Sequence, residues 1–297
     1  MKSIFPLLVV SILILIITCN TQKQPVATPE IHKTYQARAP KTQNFDTKAF
    51  QSSQKTIIRW LGNAGFFINA RGTTIMVDPL LKGFDMPLLI TMPIEAKDVP
   101  HLDAILITHS DNDHFSIPTL SDLATNTRAF HSVHYVDSLM KLQNWNSFGY
   151  DIGETFNVGA VRVTLTPADH AYQNHFPGAT RFFKLEDFCG FWIETPDGTI
   201  WATGDSRLMD NHLQMEAPDA IFFDFSDSQW HFGLDGAVKI ANAYPNAALL
   251  LCHWGSVSAP EMKEFNGDPE VLKKRVVNPK RIHVLAPGEP FTLTKAR

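Results

Sequence analysis

The stretch THSDNDHF, residues 108–115, places two histidines and two aspartates within six positions, from His109 to His114. It directly follows an apolar run, residues 102–108, which is typical of a buried strand. Imidazole and carboxylate groups are the side chains that bind zinc, iron and manganese. The stretch therefore predicts a metal-binding loop at the carboxyl end of a strand.

Three further strand-like runs, at residues 161–166, 199–203 and 248–252, each end close to another potential metal ligand. In layered α/β proteins the carboxyl ends of the strands gather at one edge, where sites form. We therefore expect the side chains that follow these runs to meet the loop at 109–114. The predicted cluster has seven members, namely His109, Asp111, Asp113, His114, His170, Asp205 and His253.

Short strand-like runs dominate the chain from residue 56 onward, and glycine-containing turns separate several of them. Early strands in hairpins, followed by strands with helices between them, predict a layered α/β protein without a second domain. The predicted strands span residues 56–60, 66–70, 74–78, 102–108, 161–166, 191–195, 199–203, 220–225, 248–252 and 282–285. The predicted helices span about 116–125, 134–142, 233–244 and 258–276.

The order of these motifs resembles the metallo-β-lactamase superfamily. His-x-Asp-x-Asp-His from residue 109 is similar to the family loop His-x-His-x-Asp-His, and a histidine, Gly-Asp and His-Trp-Gly follow in order. Leu-Gly-Asn-Ala-Gly at 61–65, Val-Asp-Pro at 77–79 and Ala-Pro-Gly-Glu at 286–289 add support. The resemblance is to the ascorbate-6-phosphate lactonase-like branch and, more loosely, to N-acyl-phosphatidylethanolamine phospholipase D. It implies an αββα four-layer sandwich, with two metal ions at one edge.

The resemblance also implies a role for each ligand. His109, residue 111 and His170 would bind a first metal, and Asp113, His114 and His253 a second, with Asp205 bridging both. Asp78 would brace the ligand loop. Asp113 and His231 would act in catalysis. His231 matches a histidine near the substrate, where it would protonate a leaving group or bind an oxyanion. An ordinary polar residue at a helix start is the alternative for His231.

Asp111 departs from the family pattern, which most often has a histidine at this position. With Asp111, Asp113 and Asp205, three negative ligands face the four positive charges of two divalent ions. We therefore expect a preference for manganese or iron over zinc, and a less acidic metal-bound water. A carboxylate here also resembles the diiron oxygen-reducing members, but no flavodoxin-like domain is evident in the sequence.

Together these features predict a metal-dependent hydrolase. We expect a metal-bound hydroxide at a dinuclear site of zinc, manganese or iron to attack an ester or lactone in a small-molecule or lipid-like substrate. A phosphodiesterase or phospholipase D-type hydrolase ranks second, because no cluster of lysines and arginines near the motifs predicts a phosphate clamp. Arg181 and Arg207 are the nearest candidates. A non-catalytic metal-binding lipoprotein and an iron-dependent oxidoreductase remain as alternatives.

The N-terminal segment has one lysine and then an apolar run from Ile4 to Ile17, shorter than the roughly 20 residues of a membrane span. It fits a secretory signal and resembles a bacterial lipoprotein signal in residues 1–19, with lipid attached at Cys19. We therefore expect a membrane-anchored protein of the bacterial cell envelope, with a secreted or periplasmic protein as the alternative. Residues 20–54 are polar and predict a flexible tether before a domain at 55–297.

Composition narrows the class of protein further. The 297 residues, 44% of them hydrophobic, suffice for one large domain or two small ones. The net charge of −4, with no basic run, argues against a nucleic-acid partner. Cys189 and Cys252 lie in apolar runs, which favours buried thiols over a disulfide. The oligomeric state is not indicated by the sequence.

Overall fold

The computed structural model describes residues 35–178 and 180–296. The predicted signal at 1–19, its Cys19 and residues 20–34 of the predicted tether lie outside the described residues. Within the described part of the chain, none of the helices combines the length and the apolar composition that a bilayer span requires.

The described residues form two seven-stranded sheets. The strands are β1 (Thr56–Gly62), β2 (Gly65–Ala70), β3 (Thr73–Val77), β4 (Ala104–Leu106), β5 (Phe130–Val133), β6 (Ser147–Tyr150), β7 (Thr155–Val158), β8 (Val161–Pro167), β9 (Cys189–Thr195), β10 (Gly198–Ala202), β11 (Ala220–Phe223), β12 (Ala248–Leu251), β13 (Ile282–His283) and β14 (Pro290–Thr292). The first sheet has the order β14-β1-β2-β3-β4-β5-β6 and the second the order β13-β12-β11-β10-β9-β8-β7.

Each sheet is antiparallel in one half and parallel in the other. In the first sheet, β14, β1, β2 and β3 pair antiparallel, and β3 to β6 pair parallel. In the second sheet, β7 to β10 pair antiparallel, and β10 to β13 pair parallel. β8 consequently runs in the same direction as β10 to β12, so these strands end at the same edge.

Four α-helices accompany the sheets in the described residues: α1 (Ile117–Leu123), α2 (His134–Leu142), α3 (Gly233–Ala243) and α4 (Pro269–Lys273). The Ser116 hydroxyl accepts a hydrogen bond from the Thr119 amide, and Pro118 lies in the first turn, so α1 begins with favourable capping. α2 packs against β5 and β6, whereas α3 buries Ile240 in the core. The predicted αββα sandwich is confirmed.

The core lies between the two sheets, where apolar strand residues alternate inward. Phe66 of β2 stacks on Phe222 of β11 with ring centroids 3.6 Å apart and planes 10° apart. Trp60 and Trp201 are completely buried nearby in the same cluster. Burial of these large rings supplies much of the apolar stabilisation that holds one sheet against the other.

A polar contact joins the two sheets at the edge opposite the ends of β3 and β10. Asp197, in the turn between β9 and β10, accepts hydrogen bonds from the Thr56 amide at 2.8 Å and from Arg71 Nη2 at 2.6 Å. Thr56 begins β1, and Arg71 lies in the turn between β2 and β3. The Asp197 side chain is only 6% exposed, so these bonds are well shielded from water.

The ten predicted strands are present, but β5, β6, β7 and β14, which are three or four residues long, were not predicted. The predicted helix at 258–276 is wrong, because only α4 within it is α-helical. Pro260, Gly267 and Pro269 disfavour a continuous helix. The irregular segment instead places the Phe265 ring 5.1 Å from that of His253, nearly parallel to it.

The predicted tether is also too long, because the described residues from 35 to 54 pack on the domain. Ala37 is completely buried. The Ala39 amide donates to the carbonyl of Gly255 at 2.9 Å, and the Gln43 amide donates to that of Pro287 at 2.8 Å. Phe45 stacks on Phe67. Because this segment has few apolar residues, its sequence did not indicate the contacts that its backbone amides make.

Candidate metal centre

The seven predicted ligands converge at the edge where β4, β8, β10 and β12 end, around the carboxylate of Asp205. Asp205 Oδ2 lies 3.1 Å from His114 Nε2, 3.4 Å from His253 Nε2 and 3.8 Å from His170 Nε2. Side chains from strands far apart in sequence therefore meet at one oxygen atom.

Two groups of ligand atoms flank Asp205. In the first group, Asp111 Oδ2 lies 3.3 Å from His109 Nε2 and 3.4 Å from His170 Nε2. Metal bonds of 2.0–2.2 Å would place neighbouring ligand atoms of a tetrahedral site roughly 3.3–3.6 Å apart. The separations in the first group therefore fit donor atoms that share one ion.

The second group, Asp113, His114 and His253, shows similar spacing. Asp113 Oδ2 lies 3.2 Å from His253 Nε2 and 3.7 Å from His114 Nε2. All three side chains are buried, and their donor atoms lie within 4.8 Å of one another. Asp205 is near enough to both groups to bridge two ions.

The ring nitrogens that face away from the centre are held by acceptors. His114 Nδ1 donates to Asp78 Oδ2 at 2.9 Å, His170 Nδ1 to the carbonyl of Trp230 at 2.8 Å and His253 Nδ1 to that of Glu264 at 3.1 Å. Such bonds keep the proton on Nδ1 and direct the lone pair of Nε2 inward, as in metal-ligating histidines. The expected bracing role of Asp78 agrees with this contact.

His109 provides an independent test of whether a metal fits. Its Nδ1 lies 3.0 Å from the Thr108 hydroxyl, which itself donates to Asp78. Its Nε2 is buried and makes no hydrogen bond of acceptable geometry with any described residue, despite its proximity to Asp111. A buried polar atom without a partner costs free energy. Coordination of a cation would satisfy this nitrogen.

Backbone strain is concentrated at the same edge. Asn63, Asp78 and His253 all have positive φ, at 46°, 42° and 57°. Gly204, next to Asp205, has φ +63°, and a Cβ there would lie 2.5 Å from the Cys189 carbonyl oxygen. Non-glycine residues in this conformation cost about 1–3 kcal/mol each and cluster at functional sites. The strained backbone thus orients these side chains toward the centre at a cost in stability.

The buried histidines and aspartates of the centre shift one another's pKa values. Burial alone would lower the pKa of His253, but the Asp205 and Asp113 carboxylates raise it to about 10. Burial opposes ionisation of Asp113, but His114 and His253 lower its pKa to about 2. The pKa of Asp205 likewise falls well below its usual range beside His114 and His253. The carboxylates thus remain charged, and a bound metal ion would displace the proton that they favour on His253 Nε2.

His231 lies beside the centre without belonging to either group. Its Nε2 is 3.7 Å from Asp205 Oδ2, and its Nδ1 donates to Asp224 Oδ2 at 2.6 Å. Asp205, His231 and His253 also hold their donor atoms within 4.8 Å of one another. The geometry therefore permits two roles for His231, as a proton donor or as an additional ligand.

Three residues with contacts at the centre were missed by the sequence reasoning. Asn63 Nδ2 donates to Asp113 Oδ2 at 3.1 Å, and Gln173 Nε2 donates to Asp111 Oδ1 at 2.7 Å. The third is Asp224, the partner of His231. Asp224 lies near the end of the predicted strand 220–225, and Asn63 lies in the Leu-Gly-Asn-Ala-Gly motif at 61–65, so the sequence offered an indication of both. Gln173 lies in a long loop segment and had none.

A cavity of about 300 Å³ opens onto the centre. Asp111, Asp113, His231 and Tyr172 are among the side chains that line it. A wider cavity of about 1010 Å³ adjoins it, and both share the Trp230 side chain. Small molecules can thus reach the ligand atoms from solvent.

The αββα sandwich, with histidines and aspartates gathered at one sheet edge, defines a metal-dependent hydrolase of the metallo-β-lactamase fold. The family model described as "Beta-lactamase superfamily domain" matches residues 73–254, and the chain belongs to this family.

Similar proteins agree with this class. A UPF0173 metal-dependent hydrolase of Herpetosiphon aurantiacus is 27% identical over 255 residues, covering 80% of this chain and 98% of that protein. A UPF0173 metal-dependent hydrolase of Archaeoglobus fulgidus is 24% identical over 254 residues, which cover 80% of this chain and 99% of that protein. The structure of Igni18, a metallo hydrolase of Ignicoccus hospitalis, shares the fold with a TM-score of 0.64 at 18% identity, covering 81% and 99%.

Proposed function

We propose that the chain hydrolyses a neutral carboxylic ester or lactone at a dinuclear metal centre. The observation that carries the proposal is the convergence of two groups of donor atoms on Asp205 Oδ2 at 3.1–3.8 Å. The residues that would hold the two ions are His109, Asp111 and His170 for the first, Asp113, His114 and His253 for the second, and Asp205 for both. When bound, a divalent pair supplies Lewis acidity and lowers the pKa of water.

The chain's own residues would then place the water and move the protons. Asp113 lines the cavity, and Asn63 holds its Oδ2, so this carboxylate is fixed to orient an attacking water. His231 directs Nε2 toward the cavity, while Asp224 holds Nδ1. A proton on Nε2 would pass to the oxygen of the leaving alcohol, and Asp224 would stabilise the imidazolium before that transfer.

The charges around the cavities favour a neutral substrate. Arg207 and Lys263 line the wider cavity, and both are already paired. Arg207 Nη2 lies 2.7 Å from Asp169 Oδ2, and Lys263 Nζ lies 3.4 Å from Asp227 Oδ2. A phosphodiester anion would have to compete with these carboxylates. This arrangement supports an ester or lactone over the phosphodiesterase or phospholipase D-type alternative, and it is compatible with the lactonase-like branch.

A substrate comparison tests the proposal. The full chain, loaded with zinc or manganese, is assayed with an aryl ester, a lactone and bis(p-nitrophenyl) phosphate. We expect kcat/KM to be at least about tenfold higher for the ester and the lactone than for the phosphodiester. Asp205→Asn should abolish this activity. The control variant Asp210→Asn, which changes an exposed carboxylate, should keep it. Faster phosphodiester cleavage would support the alternative. No hydrolysis by chain containing two metals would contradict the proposal.

A second candidate function rests on Asp111. A carboxylate in the first group makes that set richer in oxygen, which suits iron. An iron-dependent oxidoreductase would take up oxygen when loaded with iron and supplied with a reductant. Oxygen uptake in the absence of any ester hydrolysis would favour this candidate over the hydrolase.

We further propose that lipid on Cys19 anchors the protein in the bacterial cell envelope. The apolar run from Ile4 to Ile17, followed by a cysteine and polar residues, supports this proposal. We expect wild-type chain to incorporate radiolabelled palmitate and to sediment with membranes. Cys19→Ala should lose the label. Equal labelling of both would contradict lipidation at Cys19.

A further inference from the structure

We propose that Gln173 is a positioning residue that makes Asp111 a ligand through one oxygen only. Gln173 Nε2 donates to Asp111 Oδ1 at 2.7 Å. The other oxygen, Oδ2, is the one that lies 3.3 Å and 3.4 Å from the Nε2 atoms of His109 and His170. The inference rests on the proposed metal centre and concerns the residue at which this chain departs from the family pattern.

A carboxylate can bind a cation with one oxygen or with both. The backbone of Asp111 is already fixed, because its carbonyl accepts from the amides of His114 and Phe115 at 2.9 Å and 2.6 Å. Rotation of the side chain is therefore the remaining freedom. The Gln173 amide restricts it, because its nitrogen donates to Oδ1 and leaves Oδ2 as the oxygen close to the histidines.

The surroundings of Gln173 support a specific role for this contact. Its Oε1 is buried and has no hydrogen-bond partner among the described residues. Burying an acceptor without a partner is unfavourable, so the amide is kept in place against a cost. Gln173 belongs to the 3₁₀ turn Tyr172–His175, whose Tyr172 lines the cavity at the centre. One short turn therefore joins the cavity wall to a ligand.

The consequence concerns metal selectivity. Two histidines, one oxygen of Asp111 and Asp205 form a four-donor set, which suits tetrahedral zinc. If Oδ1 were released, Asp111 would offer a second oxygen, and the larger oxygen-rich set would suit manganese better. Gln173 thus offsets the preference for harder metals that Asp111 introduces.

The test measures zinc and manganese affinity by competition with a chromogenic chelator, at fixed pH, on the full chain. We expect Gln173→Ala and the similarly sized Gln173→Met to weaken zinc binding about 10- to 100-fold, the range seen when partners of ligands are removed. Manganese affinity should stay nearly the same, so the ratio of zinc affinity to manganese affinity should fall about 10- to 100-fold.

Two further variants separate positioning from general damage. Asn174 lies in the same turn but bonds to the backbone of Phe183 at 2.7 Å and 2.8 Å, so Asn174→Ala disturbs the turn without touching Asp111. It should leave the metal ratio unchanged. In an Asp111→His background the Gln173 amide has no carboxylate to hold, so adding Gln173→Ala should change zinc affinity less than about twofold.

An unchanged ratio in both Gln173 variants would overturn the proposal. So would an equal fall in Asn174→Ala, or a loss in the Asp111→His background as large as in wild type. Metal binding with the expected coupling but without hydrolysis would refute the proposed function and leave this inference standing. A wild-type chain that binds no metal would refute both.

Discussion

At the scale of single residues, the five histidines at the candidate metal centre share one arrangement. Each Nδ1 lies against an acceptor, and each Nε2 faces the centre. The acceptors of His231 and His114 are carboxylates, namely Asp224 Oδ2 at 2.6 Å and Asp78 Oδ2 at 2.9 Å. Of these two histidines, His231 is the one that lines the cavity. A carboxylate stabilises the protonated imidazole more than a carbonyl does, which suits a residue that delivers a proton.

Replacing His231 distinguishes its two possible roles. If it donates a proton, His231→Asn should lower kcat about 10²- to 10³-fold while the metal content per chain stays the same. Asp224→Asn should cause a smaller loss, because the imidazole remains. Metal analysis and steady-state kinetics on the same preparations check this. Loss of one metal in His231→Asn would instead identify His231 as a ligand.

The convergence of the seven candidate ligands could be predicted from the sequence, because each follows a strand-like run within a few residues. Their supporting residues could not be predicted equally well. Gln173 reaches Asp111 across 62 positions, and no local pattern indicates such a contact. The role of Asn63 depends on a positive φ that turns its amide toward Asp113, and this too arises only from the folded loop.

At the scale of elements, Asp197 forms a polar connection between the sheets at the edge opposite the candidate metal centre. Hydrogen bonds from Arg71, together with those from Thr56, hold the pKa of Asp197 well below its usual range. Because the folded-state pKa is lowered, the stabilisation is complete above the unfolded value of 3.8 and is lost as pH falls below it.

We therefore expect Asp197→Asn to lower the free energy of unfolding by about 2 kcal/mol at pH 7, since it weakens charge-assisted bonds in a shielded position. This corresponds to a fall in Tm of roughly 4–8 °C. Thermal melts between pH 7 and pH 3 should show the difference shrinking below about pH 4.

The matched control for this prediction is Asp151→Asn. The Asp151 side chain is 76% exposed and lies 3.4 Å from His134, so its removal should have little effect on Tm. A difference between wild type and Asp197→Asn that persists unchanged at pH 3, or an equal effect of Asp151→Asn, would contradict the role of Asp197.

Element prediction succeeded where apolar runs were long and failed where structure depends on distant partners. β1 and β2 were evident from their composition, whereas β14 exists because residues 290–292 pair with β1. The packed segment before β1 shows the same limit, since Ala39 is ordered by a hydrogen bond to Gly255. The periodicity of one segment does not indicate which distant segment it will pair with.

At the scale of the whole molecule, the ligands come from both sheets, so metal binding should stabilise the entire fold. His109 and His114 follow β4 of the first sheet, while Asp205 and His253 follow β10 and β12 of the second. A ligand present at 1,000 times its Kd stabilises the folded state by about 4 kcal/mol. Ions at this centre would thus hold the sheets together at their open edge.

We expect chelation to lower the Tm of metal-loaded chain by roughly 8–16 °C, and the loss to reverse on adding zinc or manganese. Asp205→Asn should show little of this shift, because it removes the residue shared by both groups. Differential scanning calorimetry with and without chelator provides the measurement. An unchanged Tm on chelation of a chain that held two metals would contradict the prediction.

We expect this chain to hold two metal ions on seven side chains around Asp205. The decisive measurement is elemental analysis of the full chain, purified in detergent without chelators and normalised to protein concentration. We expect about two divalent ions per chain, falling to one or none in Asp205→Asn. One ion or none in the wild type, even after reconstitution with zinc, manganese and iron, would contradict the dinuclear centre.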